Sequence, residues 1–146
     1  SSVTDPPPGI LLDTCAVIFM TEGLPMARPA LDAILAARRE QGIFISPISA
    51  WEIGLLARPG RRAQGPSFLP DPRSWFERVL ARPGVRLAPF TPAIAIASSF
   101  LPGDLHGDPA DRLLMATARD LGMPLLTSDG RILAYGRAGH LAVVPC

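Results

Sequence analysis

Five short runs, apolar or nearly so, are spaced along the chain with helical sequence between them: Ile10-Leu11-Leu12, Ile43-Phe44-Ile45, Val85-Arg86-Leu87, Leu125-Leu126-Thr127 and Leu141-Ala142-Val143-Val144. A strand exposed on one face alternates apolar with polar residues, whereas runs like these suit strands covered on both faces. Alternation with helices then predicts an α/β fold: a central parallel sheet of about five strands flanked by helices on both faces. The 17 prolines and 13 glycines support this reading because they fall at element boundaries, where proline opens helices and glycine closes them. Helices are expected over Thr14 to about Glu22 with Gly23 as stop, Pro29 to about Gln41 closed by Gly42, and Ser46 to Ala57. Others are expected from Asp71-Pro72 to before Pro83, Thr91-Pro92 to about Leu101, Asp108-Pro109 to Leu121 closed by Gly122, and Asp129 to Tyr135. Arg58 to Pro70 reads as a loop. All 146 residues fit one domain, with Ser1 to Gly9 a flexible proline-rich tail.

Composition narrows the chemistry. All 14 basic residues are arginine, and neither lysine nor asparagine occurs. That removes Walker-type phosphate loops, Schiff-base catalysis and receiver-domain chemistry. No G-x-G-x-x-G or G-x-S-x-G is present, and the two histidines, His106 and His140, have no cysteine pair at zinc spacing. Cys15 and Cys146 cannot build a disulfide framework; Cys15 lies in an apolar run and is expected to be a buried thiol, which suits a reducing cytoplasm. No uninterrupted apolar stretch reaches the ~18 residues of a membrane span. Carboxylate chemistry is what remains.

In open α/β sheets, ligands bind beyond the carboxyl ends of the strands. Asp13 follows the first strand directly, and Asp129 follows the fourth. Glu52 lies among Trp51, Ile53, Leu55 and Leu56, an odd setting for a solvated acid, and Asp111 opens a helix that continues Leu113, Leu114, Met115, Ala116. Each acid except Glu52 also has a plain structural role open to it. Asp13, Asp108 and Asp129 stand where helix caps stand, and Asp111 could complete a capping box. Glu52, inside an apolar helix, has no capping role. Several carboxylates facing one cleft repel one another unless a cation joins them.

Four blocks carry a family resemblance: Ile10-Leu11-Leu12-Asp13-Thr14, Ser46-Pro47-Ile48-Ser49-Ala50-Trp51-Glu52-Ile53, His106-Gly107-Asp108-Pro109-Ala110-Asp111-Arg112 and Leu126-Thr127-Ser128-Asp129. In this order they resemble a PIN domain, and within that family the VapC-type toxins of bacterial toxin–antitoxin pairs. The resemblance implies a Mg²⁺- or Mn²⁺-dependent endoribonuclease with one or two ions per site, acting in the bacterial cytoplasm. It implies Asp13, Glu52, Asp111 and Asp129 as catalytic metal ligands, Thr127 as a supporting hydroxyl, and Asp108 in an outer, supporting position. It also implies a homodimer and a cognate VapB-like antitoxin. Val17, Ile18, Phe19 and Leu24 would suit such a partner or belong to the core.

The net charge is +1, and setting the four proposed ligands aside leaves +5 on the rest. Arg58, Arg61 and Arg62 cluster after the Glu52 helix and are expected to meet RNA phosphates or to form a solvated loop. The alternative to the nuclease is a catalytically silent PIN-like scaffold that binds RNA or protein.

Overall fold

A computed structural model describes residues 9–59, 67–103 and 107–146. Five parallel three-residue strands form one sheet: β1 (Ile10–Leu12), β2 (Ile43–Ile45), β3 (Val85–Leu87), β4 (Leu125–Thr127) and β5 (Val143–Pro145), in the order β3-β2-β1-β4-β5. Seven helices connect them among the described residues: α1 (Thr14–Glu22), α2 (Arg28–Arg39), α3 (Pro47–Leu56), α4 (Pro72–Leu80), α5 (Pro92–Ala97), α6 (Pro109–Leu121) and α7 (Gly130–Arg137). The α/β reading of the sequence therefore holds.

Strand pleating explains why the central runs are apolar throughout. Ile10 and Leu12 of β1 join a core cluster with Ala16 and Val17 of α1, Ala30 and Ala37 of α2, Ile53 of α3, and Trp75 and Val79 of α4. Leu11, between them, points the other way, into a cluster with Met115 and Ala118 of α6 and Ile132 and Tyr135 of α7. Leu126 and Leu125 of β4 divide in the same manner. The sheet is thus packed on both faces. Val17 and Ile18 belong to this core, whereas Leu24 is exposed together with Leu31 and Leu35 of α2.

Strand order sets the location of any site. The chain runs outward from β1 through β2 to β3, then returns to place β4 on the other side of β1. The crevice between the carboxyl ends of β1 and β4 is therefore the topological switch point, where open α/β sheets bind ligands.

Several boundaries depart from the sequence reading. α2 stops at Arg39 rather than Gln41, because Gln41 itself takes a left-handed φ of 57° while the Gly42 amide closes onto the Ala37 carbonyl at 2.8 Å. α5 ends at Ala97 and passes into a tight 3₁₀ turn over Ser98–Phe100 instead of continuing to Leu101. There the Ser98 hydroxyl donates to the Ala95 carbonyl (2.6 Å) and Arg112 Nε donates to the Ser98 carbonyl (3.0 Å), diverting both from the helical pattern. The last strand is Val143–Pro145 rather than Leu141–Val144: Val143 pairs with Leu125 and Pro145 with Thr127, while Leu141 packs into the second core cluster. A proline is tolerated there because β5 is an edge strand. α7 runs on to Arg137.

Cys15 is exposed, not buried. Residues 14 and 16–18 supply the buried side of α1, which turns position 15 outward. The expected tail lies outside the described residues except for Gly9, as do Arg61, Arg62 and His106. Among the described residues, no helix is long and apolar enough to cross a membrane.

Gly84, at the entry to β3, sits with φ +81° against α2, and a Cβ there would lie 2.8 Å from both the Cα and the carbonyl oxygen of Arg38. Backbone cannot yield as a side-chain tip does, so Gly84→Ala combines left-handed strain with a clash. We expect it to lower unfolding stability by about 2 kcal/mol or more in urea titrations, and an unchanged midpoint would contradict this packing.

Candidate metal centre

Two of the acids, Asp13 and Asp129, are delivered to the switch point by the strands before them, β1 and β4. β1 ends at Leu12, so Asp13 emerges at the carboxyl edge of the sheet, where it caps α1: its Oδ1 accepts from the Ala16 amide at 2.8 Å. Register then supplies its second partner. Leu12 pairs with Leu126, which places the next residue of β4, Thr127, beside Asp13, and the Thr127 hydroxyl donates to Asp13 Oδ2. The same hydroxyl accepts from the Asp129 amide at 3.0 Å, so one buried Oγ1 ties the two acids flanking the crevice. Asp13 is only 6% exposed. Asp129 caps α7, accepting from the amides of Arg131 (2.8 Å) and Ile132 (3.2 Å).

Glu52 reaches the crevice from α3. Its Oε1 accepts from the Thr14 hydroxyl, and that hydroxyl also lies 3.0 Å from Ser49 Oγ, one turn before Glu52 on the same helix. Asp111 stands in the first turn of α6, and Asp108 caps that helix through Oδ1 contacts to the amides of Ala110 (2.8 Å) and Asp111 (3.3 Å). Asp13 and Asp129 both hold the cap role that the sequence allowed them; in Asp13 the second oxygen accepts from Thr127, whereas both capping contacts of Asp129 use Oδ1. Thr14 and Ser49 were not singled out from the sequence. The available signal was their spacing: a hydroxyl directly after Asp13, and another three residues before Glu52.

Burial and neighbouring charges raise three of these acids, Asp13, Glu52 and Asp111. Burial pushes the Asp13 carboxyl above its ordinary range, the Thr127 and Ala16 hydrogen bonds pull it back, and the Glu52 and Asp129 charges push it up again. Burial also raises Glu52, against the Thr14 hydrogen bond and with the Asp108 charge. Asp111 moves furthest, to about 7, first through burial and then through the charges of Asp108, Asp129, Glu52 and Asp13. The Cys15 thiol, though exposed at the surface, is raised by partial loss of solvent around its sulfur and then by the charges of Asp13, Glu52, Asp111 and Asp129. The four acids chosen from the sequence thus share one electrostatic environment. No three His, Cys, Asp or Glu side chains among the described residues stand at metal-holding distances, so the acids share a crevice without closing onto one point.

A model of the PIN domain family matches residues 10–138, from β1 through the end of α7. The chain belongs to the PIN domain family. Ribonuclease VapC22 of Mycobacterium tuberculosis (strain ATCC 25618 / H37Rv) is 32% identical over 108 residues, covering 74% of this chain and 78% of that protein. The VapC-type kinship read from the four sequence blocks therefore stands. The fold is shared with VapBC2 from Rickettsia felis bound to a DNA fragment from their promoter (TM-score 0.64, 16% identity, 93% of this chain and 97% of that one). DNA-bound VapBC from Salmonella typhimurium gives a TM-score of 0.64 at 16% identity over 94% of this chain and 98% of that one. FitAB bound to the IR36 DNA fragment gives 0.60 at 22% identity over 93% and 94%.

As a donor set, these PIN-domain acids suit a hard divalent cation. They offer carboxylate oxygens rather than imidazole or thiolate, and a cation would reverse the mutual repulsion that raises Asp111. Without a cation, the sign of the pH effect follows from the shift. A carboxyl that titrates near 7 when folded, against 3.8 ordinarily, binds its proton more tightly in the folded state, so stability falls as pH rises from about 4 to about 7. Asp111→Asn removes that decline. In EDTA it should match the wild type near pH 4.5 and be more stable at pH 7.5 by about 1 kcal/mol, after discounting for a half-exposed group. Thermal melts at the two pH values decide it, and a variant less stable at pH 7.5 would contradict the electrostatic account.

Proposed function

We propose that the chain is a divalent-metal-dependent endoribonuclease of the VapC type, using Mg²⁺ or Mn²⁺ and neutralised by a cognate VapB-like antitoxin. The observation that supports this reading is that Asp111 feels the charges of Asp129, Glu52 and Asp13, which brings the four acids into one neighbourhood of a PIN domain 32% identical to a named ribonuclease. Those four carboxylates would hold one or two ions. When bound, the cation supplies Lewis acidity toward water and neutralises charge on a phosphodiester.

The remaining work belongs to the chain. Thr127 fixes the orientation of Asp13 and, through the Asp129 amide, the start of α7. Thr14 restrains Glu52, so its carboxylate does not swing into solvent. Asp111 keeps a proton near neutral pH until the site is occupied, which limits the cost of gathering four acids. Asp108 caps α6 and adds negative charge from outside. Arg58, exposed just beyond α3, supports the expectation of a phosphate contact.

The partners follow the same reading. Exposed Leu24, Leu31 and Leu35 offer an apolar face for an antitoxin segment, and exposed Ile96 and Phe100 offer one for a second copy of the chain. The site of action is the bacterial cytoplasm, where RNA substrates are found.

The test is cleavage of a mixed RNA pool in Mg²⁺ or Mn²⁺, comparing wild type, wild type with EDTA, and Asp13→Asn. We expect metal-dependent cutting that falls by about 100-fold or more in the variant, since metal chemistry contributes several kcal/mol to such reactions. Equal inertness of wild type and variant would favour the silent scaffold instead.

A further inference from the structure

We infer that Trp51 is a stacking platform for a base of the RNA strand whose phosphodiester lies at the acid crevice. This inference rests on the nuclease reading. Trp51 immediately precedes Glu52 in α3, yet its side chain does not share the burial of its neighbours: the residue is 54% exposed, while Ser49 and Ile53 of the same helix are fully covered. A large aromatic side chain left in water is a poor use of an apolar helix unless something covers it.

Its position indicates what that something is. Successive helical residues are rotated by about 100°, so Trp51 lies one step around α3 from Glu52, on the solvent side of the row that enters the crevice. Helical side chains lean toward the N-terminus of their helix, and α3 begins where β2 delivers the chain to the carboxyl edge of the sheet. Trp51 therefore stands in the half of α3 nearer the edge to which β2 delivers the chain. Gly54, one turn on, leaves open space beside it, with no heavy atom within 4 Å of where a Cβ would stand. Arg58, two residues past the end of α3, is exposed. An exposed aromatic ring on α3 and an exposed guanidinium just past its end, in the segment that also carries Glu52, supply the two contacts used to track single-stranded nucleic acid: base on ring, phosphate on cation. A purely apolar protein partner would not use the arginine or the proximity to the acids.

The chain carries two tryptophans, and the other is a built-in reference. Trp75 is 3% exposed, and its indole N–H donates to Glu22 at 3.3 Å, so a ligand-dependent change in emission reports on Trp51. Titrating the Asp13→Asn protein with a short mixed-sequence single-stranded RNA in Mg²⁺ should quench emission saturably. Adding Trp51→Ala should abolish the quench and weaken RNA binding, read by anisotropy, about tenfold, while Trp51→Phe should keep most of the affinity. In otherwise wild-type protein, Trp51→Ala should raise KM for cleavage by a similar factor with kcat within about twofold. RNA affinity indifferent to Trp51→Ala overturns the inference. So does a Trp51→Ala protein that binds RNA normally but no longer pairs with its antitoxin, an outcome that assigns the face to protein. The two readings fail separately: cleavage without Trp51 dependence removes the platform alone, and Trp51-dependent RNA binding without cleavage removes the nuclease alone.

Discussion

The pairing of β1 with β4 is the constraint on which the rest of the structure depends. Each strand is only three residues long, so neither has room to shift register without exposing a leucine now fully buried. That register sets Thr127 beside Asp13, and the hydroxyl between them joins the ends of two strands that are far apart in sequence. Because β1 and β4 meet where the order of the sheet reverses, the same pairing opens the crevice in which the acids collect. The core and the candidate metal centre are thus consequences of one set of contacts: leucines below the edge of the sheet, carboxylates above it.

The crevice acids work against the fold that holds them. Burial and mutual repulsion raise Asp13, Glu52 and Asp111, so an empty site costs stability at neutral pH. The chain offsets part of this locally. Helix-capping amides take one oxygen of Asp13 and of Asp129, and hydroxyls from Thr127 and Thr14 satisfy Asp13 and Glu52. Asp111 has the weakest such support and the largest shift.

Much of this was legible in the sequence, for identifiable reasons. Apolar runs bounded by proline and glycine located all five strands to within two residues; the central β1, β2 and β4 are covered on both faces and leave no periodicity to misread, while β3 and β5 are partly exposed edge strands. The acids stood out as candidates because Glu52 had no structural excuse, and because Asp13 followed β1 directly and Asp129 followed β4 after one residue. What escaped depended on rotation about a helix or on tertiary hydrogen bonds. Cys15 faces outward because α1 buries the residues on either side of it. α5 stops early because Ser98 and Arg112 redirect its carbonyls. Gln41 turns the chain in place of the glycine that follows it. Thr14 and Ser49 were missed because a hydroxyl that supports a carboxylate leaves no mark in the sequence unless the carboxylate has been placed first.

The central claim is that Asp13, Glu52, Asp111 and Asp129 form one divalent-cation site. Its most direct test is calorimetric titration of Mn²⁺ into the protein at pH 7, repeated in buffers of different ionisation enthalpy to count protons. The account predicts saturable binding with release of roughly half a proton per site, because an Asp111 carboxyl titrating at about 7 must give up its remaining proton to become a ligand. Absence of binding, or binding with no proton released, would contradict it.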